Sequence, residues 1–223
     1  MKLMFEYDLH THTIFSDGGL VPAEAARRAE AFGYKGIALT DHADLTNFRF
    51  ILENQLRLKT KINSSNPNFN ILVGVEFTHV QPDEIYELKN MAKENGADII
   101  IVHGETIVEP VKTGTNRAAI EAGVDILAHP GLISEEDASM AAKNNVYLEI
   151  TTRKGHSLTN GHVAKTALKT GANLVINNDF HEPGDAVTSD MAVNILRGCG
   201  LRDEEIRKTF ANNKFIFNSK LEV

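Results

Sequence analysis

Nine histidines stand in a chain of 223 residues that contains no tryptophan. Six of them fall in short phrases that also carry carboxylates or a glycine or proline turn. The first phrase is Asp8-Leu9-His10-Thr11-His12, with Ser16-Asp17-Gly18 close behind. Further along come Thr40-Asp41-His42, Gly74-Val75-Glu76, Val102-His103-Gly104, Ala128-His129-Pro130 and Asn178-Asp179-Phe180-His181. Another phrase of this kind runs from Glu149 to Arg153. His10 and His12 are two residues apart, so on a continuing strand both rings leave the same side; Asp179 and His181 repeat that spacing. Imidazoles and carboxylates delivered to one face would repel or compete for protons unless cations neutralised them. Mixed imidazole and carboxylate ligation suits Zn, Mn or Fe, whereas Ca prefers oxygen alone. His10, His12, Asp17, His42, Glu76, His103, His129, Asp179 and His181 are too many ligands for one ion that keeps an open position. Two or three divalent metals would share them more comfortably.

Each phrase follows an apolar run of strand length. The candidate strands are Leu3 to Leu9, Gly36 to Leu39, Ile71 to Val75, Asp98 to Val102, Asp125 to Ala128, Val146 to Ile150 and Leu174 to Ile176. Most are rich in Val, Ile and Leu without alternation, as in strands buried on both faces of a parallel sheet. Helical patterns lie between them. One begins at Pro22, with proline in the first turn, and stops at Gly33; another runs from Gln81 to Gly96. Ser134-Glu-Glu-Asp resembles a capping box with Asp in place of the usual Glu, and Asn160 to Lys169 and Ser189 to Arg197 complete the set. The stretch Leu45 to Ile62 carries more apolar surface than one buried face requires, which fits a barrel helix with an extended loop or an oligomer contact. Alternating helix and buried strand implies right-handed βαβ units and a parallel sheet, either closed as a barrel or open and doubly wound. In both cases the carboxyl ends of the strands share one face, where catalytic loops gather.

Composition narrows the class. Hydrophobic residues make up 42% and charged residues 24%, as in a globular chain, and 1–223 reads as a single domain. The N-terminal MKLMFEYDLHTHT has charged and polar residues where a signal peptide would be apolar, and no run is long enough to span a membrane. A lone Cys199 gives no internal disulfide, so a cytoplasmic location is expected. With 23 Lys and Arg against 30 Asp and Glu, the formal charge of −7 makes nucleic acid an unlikely partner.

The ordered set of phrases from residue 8 to residue 181 resembles the PHP family, named for polymerase and histidinol phosphatase. Asp8-Leu-His-Thr-His-Thr with Ser16-Asp-Gly is similar to that family's first motif, and the later phrases match in order. One departure is Asn177-Asn178, where many relatives carry a serine. The resemblance implies a distorted seven-stranded (β/α) TIM-like barrel with a trinuclear centre at its carboxyl face. It places His10, His12, Glu76 and Asp179 on one metal, and Glu76, His103 and His129 on a second. Asp17, His42 and His181 would hold the third. The implied activity is hydrolysis of a small phosphomonoester, such as histidinol phosphate or a nucleotide phosphate, by metal-activated hydroxide. Asp17 would be a ligand or a general acid, and His42 and His181 would bring the third metal to the phosphate. Arg153 is the first choice for gripping phosphate oxygens through two donors. Lys154, His156 and Arg117 are weaker candidates, whereas His79 and His162 read as exposed structural residues. The alternatives are a nuclease or phosphodiesterase of the same family, and a non-catalytic ribonucleoprotein subunit.

Overall fold

In the computed structural model, which describes residues 3–221, seven parallel strands form a nearly closed barrel. They are β1 (Tyr7–Thr11), β2 (Gly36–Leu39), β4 (Asn70–Phe77), β5 (Ile99–His103), β6 (Ile126–Ala128), β7 (Tyr147–Thr151) and β8 (Leu174–Asn177), adjacent in that order. A two-residue strand, β3 (His42–Ala43), follows β2 and pairs with the end of β4, setting His42 opposite Glu76. Between the strands lie α1 (Pro22–Phe32), α2 (Phe48–Ser65), α3 (Ile85–Glu94), α4 (Thr115–Ala122), α5 (Glu135–Asn144) and α6 (Asn160–Thr170). After β8 come α7 (Ser189–Gly198) and α8 (Asp203–Leu221). The open, doubly wound alternative is thereby excluded. No helix among the described residues is long and apolar enough to cross a membrane.

The first strand sits further along than Leu3 to Leu9, beginning at Tyr7 and continuing into the histidine phrase. Phe5 is taken instead by an aromatic cluster, 5.3 Å from Tyr34 and 5.9 Å from Phe210 between ring centres. The helix α8 is absent from the sequence reading, because its apolar residues are interrupted by Asn212-Asn213 and Asn218. Those interruptions have work in the fold. Asn213 accepts from the Ile176 backbone N–H at 3.1 Å and donates to the carbonyls of Ile176 and Tyr7 at 2.7 and 3.2 Å. One amide side chain thus fills the hydrogen-bonding gap between β8 and β1 in the lower barrel. At the mouth the seam closes through backbone, with His12 N donating to Phe180 O at 2.7 Å and Phe180 N to His10 O at 3.2 Å.

The barrel interior is divided by height. Its lower half is apolar, with Leu9, Ala38, Leu72, Ile99, Ile101, Ile126 and Val175 packed together. Phe217 of α8 enters from below and is almost fully buried. A Cβ on Gly36 would lie 2.2 Å from the Phe217 ring, so this plug requires glycine there. The upper half holds the ionisable residues. An irregularity between Asp8 and Thr11 adds one residue to β1 against β2. Because a one-residue insertion inverts strand phase, Leu9 below and His10 and His12 above all face inward.

Phe217→Ala should lower the unfolding free energy by about 3–5 kcal/mol, the usual cost of emptying a buried aromatic site. Urea denaturation checks this, and a loss below about 1 kcal/mol would mean that the plug does not hold the barrel.

Candidate metal centre

All nine residues expected to act together converge at the carboxyl ends of the strands. Glu76, on β4, is completely buried at the middle of the group. Its Oε1 lies 3.3 Å from His10 Nε2 and 3.5 Å from His129 Nε2. Its Oε2 lies 2.7 Å from His42 Nδ1 and 3.6 Å from His12 Nε2. Asp179, on the segment after β8, reaches His12 Nε2 at 3.3 Å, His129 Nε2 at 3.7 Å and His10 Nε2 at 3.9 Å. Nearer the solvent, Asp17 Oδ1 is 3.0 Å from His181 Nε2 and 3.5 Å from His42 Nε2. His103 departs from the implied grouping, because its Nε2 faces Glu109 at 3.2 Å.

Local structure aims these side chains. The loop carrying Asp17 is held by buried Asp41, which accepts from Thr13 N, Thr13 Oγ1 and Ser16 Oγ at 2.7 to 2.8 Å. His129 and Asp179 take left-handed backbone conformations, with φ of 25° and 52°. Non-glycine residues hold such angles at a cost of roughly 1–3 kcal/mol, so the surrounding structure must enforce them. Several imidazoles have one nitrogen committed to an acceptor. His10 Nδ1–H donates to Glu149 Oε1 at 2.8 Å, His181 Nδ1–H to the Asp179 carbonyl at 2.9 Å, and His103 Nδ1–H to the Gly104 carbonyl at 3.1 Å. In the neutral ring each Nε2 then carries the lone pair, turned toward a carboxylate. That is the arrangement by which outer groups orient metal-binding imidazoles.

The electrostatics of the mouth call for cations. Burial would push the Glu76 carboxyl up, but His10 and His42 outweigh it and hold Glu76 well below the usual carboxylate range. Burial disfavours charge on His10, yet Glu149, Glu76 and Asp179 keep its pKa well above that of a free imidazole. Burial, reinforced by neighbouring imidazoles, holds His12 and His129 well below the ordinary value and therefore neutral. Burial raises Asp179 to about 6 against the pull of His10. Meanwhile His10 Nε2, both ring nitrogens of His12, His129 Nδ1 and Glu76 Oε1 are buried without hydrogen-bond partners. Orphaned polar atoms of this number are costly in a dry interior unless something binds them. Divalent cations fit that donor set.

Sequence reasoning singled out the phrase from Glu149 to Arg153 but gave Glu149 no role, and it missed Glu109. Glu149, fully buried on β7, accepts from His10, from Asn177 Nδ2 at 2.8 Å and from the His129 backbone N–H at 3.2 Å. Its inward position on a strand end was the available signal. Glu109 lies on an irregular loop with no periodic signal, and gathers His79, His103 and His156. His156, a weak phosphate candidate, is instead buried with its ring 4.2 Å from that of His129. His79 is 42% exposed but bonds to Glu109 at 3.2 Å, whereas His162 sits on the outer face of α6 and bonds to Ile133 O at 2.8 Å. Arg153 lies at the lip, with Nη1 donating to the Asp179 carbonyl at 3.3 Å. With Asp17, Lys154, His181, Glu182 and Asp185 it lines a cleft of about 360 Å³. Arg117 pairs with Glu136 and Asp137 between α4 and α5. Asn178 turns away from the mouth, donating to Asp8 Oδ2 at 2.8 Å.

Fold and site together define a distorted TIM-like barrel with a potential metal-binding cluster of histidines and carboxylates at its mouth. The PHP domain model matches residues 8–109, and the chain belongs to the PHP family. An uncharacterized protein of Methanocaldococcus jannaschii is 44% identical over 204 residues, 91% of this chain and 94% of that protein. Ribonuclease P protein component 3 of Methanosarcina mazei is 30% identical over 153 residues, which are 66% of this chain and 56% of that protein. Histidinol phosphate phosphatase from Lactococcus lactis, a crystal structure with Zn, L-histidinol and phosphate, superposes with a TM-score of 0.64 at 17% identity. That superposition covers 89% of this chain and 95% of the phosphatase. The expectation that nucleic acid is an unlikely partner, drawn from net charge, is left without support by the ribonuclease P relative.

Glu149→Gln should lower divalent-metal affinity about 10–100-fold, since its amide would oppose the His129 N–H and orient His10 poorly. Competition against a chromogenic chelator measures this; an unchanged affinity would remove Glu149 from any supporting role.

Proposed function

We propose that the chain is a metal-dependent phosphoesterase that hydrolyses a small phosphomonoester, with histidinol phosphate or a nucleotide phosphate as the first substrates to consider. The observation that carries this reading is the set of four imidazole nitrogens and one Glu76 oxygen that converge in the barrel mouth without hydrogen-bond partners. On this reading His10, His12, Glu76 and Asp179 hold one ion, and Glu76 with His103 and His129 holds a second. Asp17, His42 and His181 hold a third, with Zn, Mn or Fe as the suitable metals. Such ions supply Lewis acidity toward a phosphoryl group and lower the pKa of water.

The protein's own groups define what enters. The inner mouth is closed to bulk water by the buried ring of His10, His12 and His129, while Asp17, His42 and Arg153 border the solvent side. A phosphate entering the cleft would meet the Arg153 guanidinium, which can offer two donors to its oxygens at once. Burial would raise the pKa of Asp17, but hydrogen bonding to His181 and the nearby charge of His42 hold it below the usual carboxylate value. Asp17 is therefore ionised near neutral pH and suits a ligand role rather than that of a proton donor. Asp185 stands 3.7 Å from Arg153 Nη1 and positions the guanidinium across the cleft.

A second reading is supported by the 30% identity to a ribonuclease P protein component: a phosphodiesterase acting on nucleic acid, or a non-catalytic subunit of a ribonucleoprotein. Phosphate release by the purified protein, with Mn or Zn and with chelator, separates these readings. The substrates are histidinol phosphate, nucleotides and simple sugar phosphates. Turnover should require metal, vanish with chelator and be abolished in His12→Ala and Asp179→Ala proteins that remain folded by circular dichroism. Silence across that panel with tight RNA binding at physiological salt would favour the ribonucleoprotein reading.

Arg153→Ala should raise KM for the phosphomonoester about 10–100-fold, matching charged hydrogen bonds worth about 1.5–3 kcal/mol. Steady-state kinetics with an unaltered KM would leave Arg153 a lip residue without a substrate.

A further inference from the structure

Outside the groupings implied by the family resemblance, one carboxylate gathers three imidazoles. Glu109 Oε2 lies 3.2 Å from His79 Nε2 and 3.2 Å from His103 Nε2, while Oε1 lies 3.3 Å from His156 Nε2. The three histidines come from three different places: the loop after β4, the last residue of β5 and the short 3-10 turn after β7. Each is locally fixed. His79 holds a left-handed φ of 55°, a conformation that turns its ring toward Glu109. His103 has its Nδ1–H committed to the Gly104 carbonyl at 3.1 Å. His156 has Nδ1 bonded to Thr106 Oγ1 at 2.9 Å. The two committed Nδ1 atoms leave Nε2 as the free nitrogen of each ring, and in both cases it points at the carboxylate. Ligand atoms of His79, His103 and Glu109 all lie within 4.8 Å of one another.

We propose that His79, His103 and Glu109 hold a divalent cation at the outer edge of the barrel mouth, with His156 as its inner neighbour. Two imidazoles and a carboxylate make a borderline-soft donor set, which selects Zn, Mn or Fe over Ca or Mg. A three-residue set leaves positions for water or for an anionic ligand. His79 and Glu109 have side chains 42% and 37% exposed, in contrast to the fully buried His10 and Glu76. The ion is accordingly held more weakly than those of the inner centre and exchanges readily with solution. Sharing His103 ties the outer position to the inner one. That ring has a single free nitrogen, which already faces Glu109, so the two positions compete for it and the occupancy of one is felt at the other.

The position is tested by metal content rather than by turnover. Wild-type protein and the His79→Ala and Glu109→Gln variants are dialysed to equilibrium against graded free Mn(II) or Co(II), and bound metal is counted by mass spectrometry. Both variants should lose one equivalent per chain from the weakest class and keep the tight equivalents. The Co(II) visible spectrum should lose the matching component. Truncating these exposed side chains opens no core cavity, and Glu136→Gln on the outer surface serves as the unaffected control. Equal equivalents and equal affinities in all proteins would overturn the outer position and leave the inner centre standing. Loss of a tight equivalent in Glu109→Gln would place Glu109 in the inner centre and likewise overturn it. Absence of any bound metal in the wild type would defeat the outer position and the proposed phosphoesterase together.

Discussion

The rest of the structure is arranged around one buried carboxylate. Glu76 is completely buried among the rings of His10, His12, His42 and His129. An isolated charge at such a depth would be strongly disfavoured, and unbonded imidazole nitrogens only somewhat less so. Every neighbouring feature follows from this constraint. Glu149, the Asp179 carbonyl and the Gly104 carbonyl take one nitrogen from each of three rings and thereby fix where the other points. His129 and Asp179, whose side chains reach this centre, hold strained backbone angles there.

A barrel suits such a cluster because its interior can change character along its axis. Below, branched apolar side chains and Phe217 fill the space and make the floor rigid. Above, strand ends supply ionisable groups from seven directions without any one loop having to carry them all. The extra residue in β1 is the hinge between the two regimes. It lets a single strand present Leu9 to the apolar floor and His10 and His12 to the mouth.

Much of this was legible in the residues. Short Val- and Ile-rich runs ending in His, Asp or Glu place both the strands and the ligand types, because parallel strands buried on both faces must be apolar until they reach the open end. What escaped notice had no periodic trace. Glu109 lies on an irregular loop, and His156, named only as a weak phosphate candidate, opens a short 3-10 turn behind the positive φ of Gly155. Leu3 to Glu6 read as strand because of their composition, yet Phe5 finds aromatic partners that the local sequence does not announce. The helix α8 was missed for a similar reason. Its asparagines look like helix breakers until Asn213 is seen to complete the sheet.

That last residue has a consequence for how the chain would fold. Asn213 bonds to the carbonyl of Tyr7, 206 positions earlier in the chain, and Phe217 seats beneath β1 and β2. Contacts of such sequence separation form late, because the loop they close is long. On the ribosome, the edge of the first strand that faces β8 would stay open until the eighth helix had been synthesised. The barrel would then close from its floor and its mouth in one cooperative step, and the imidazoles and carboxylates of the mouth would become fully enclosed only at that moment.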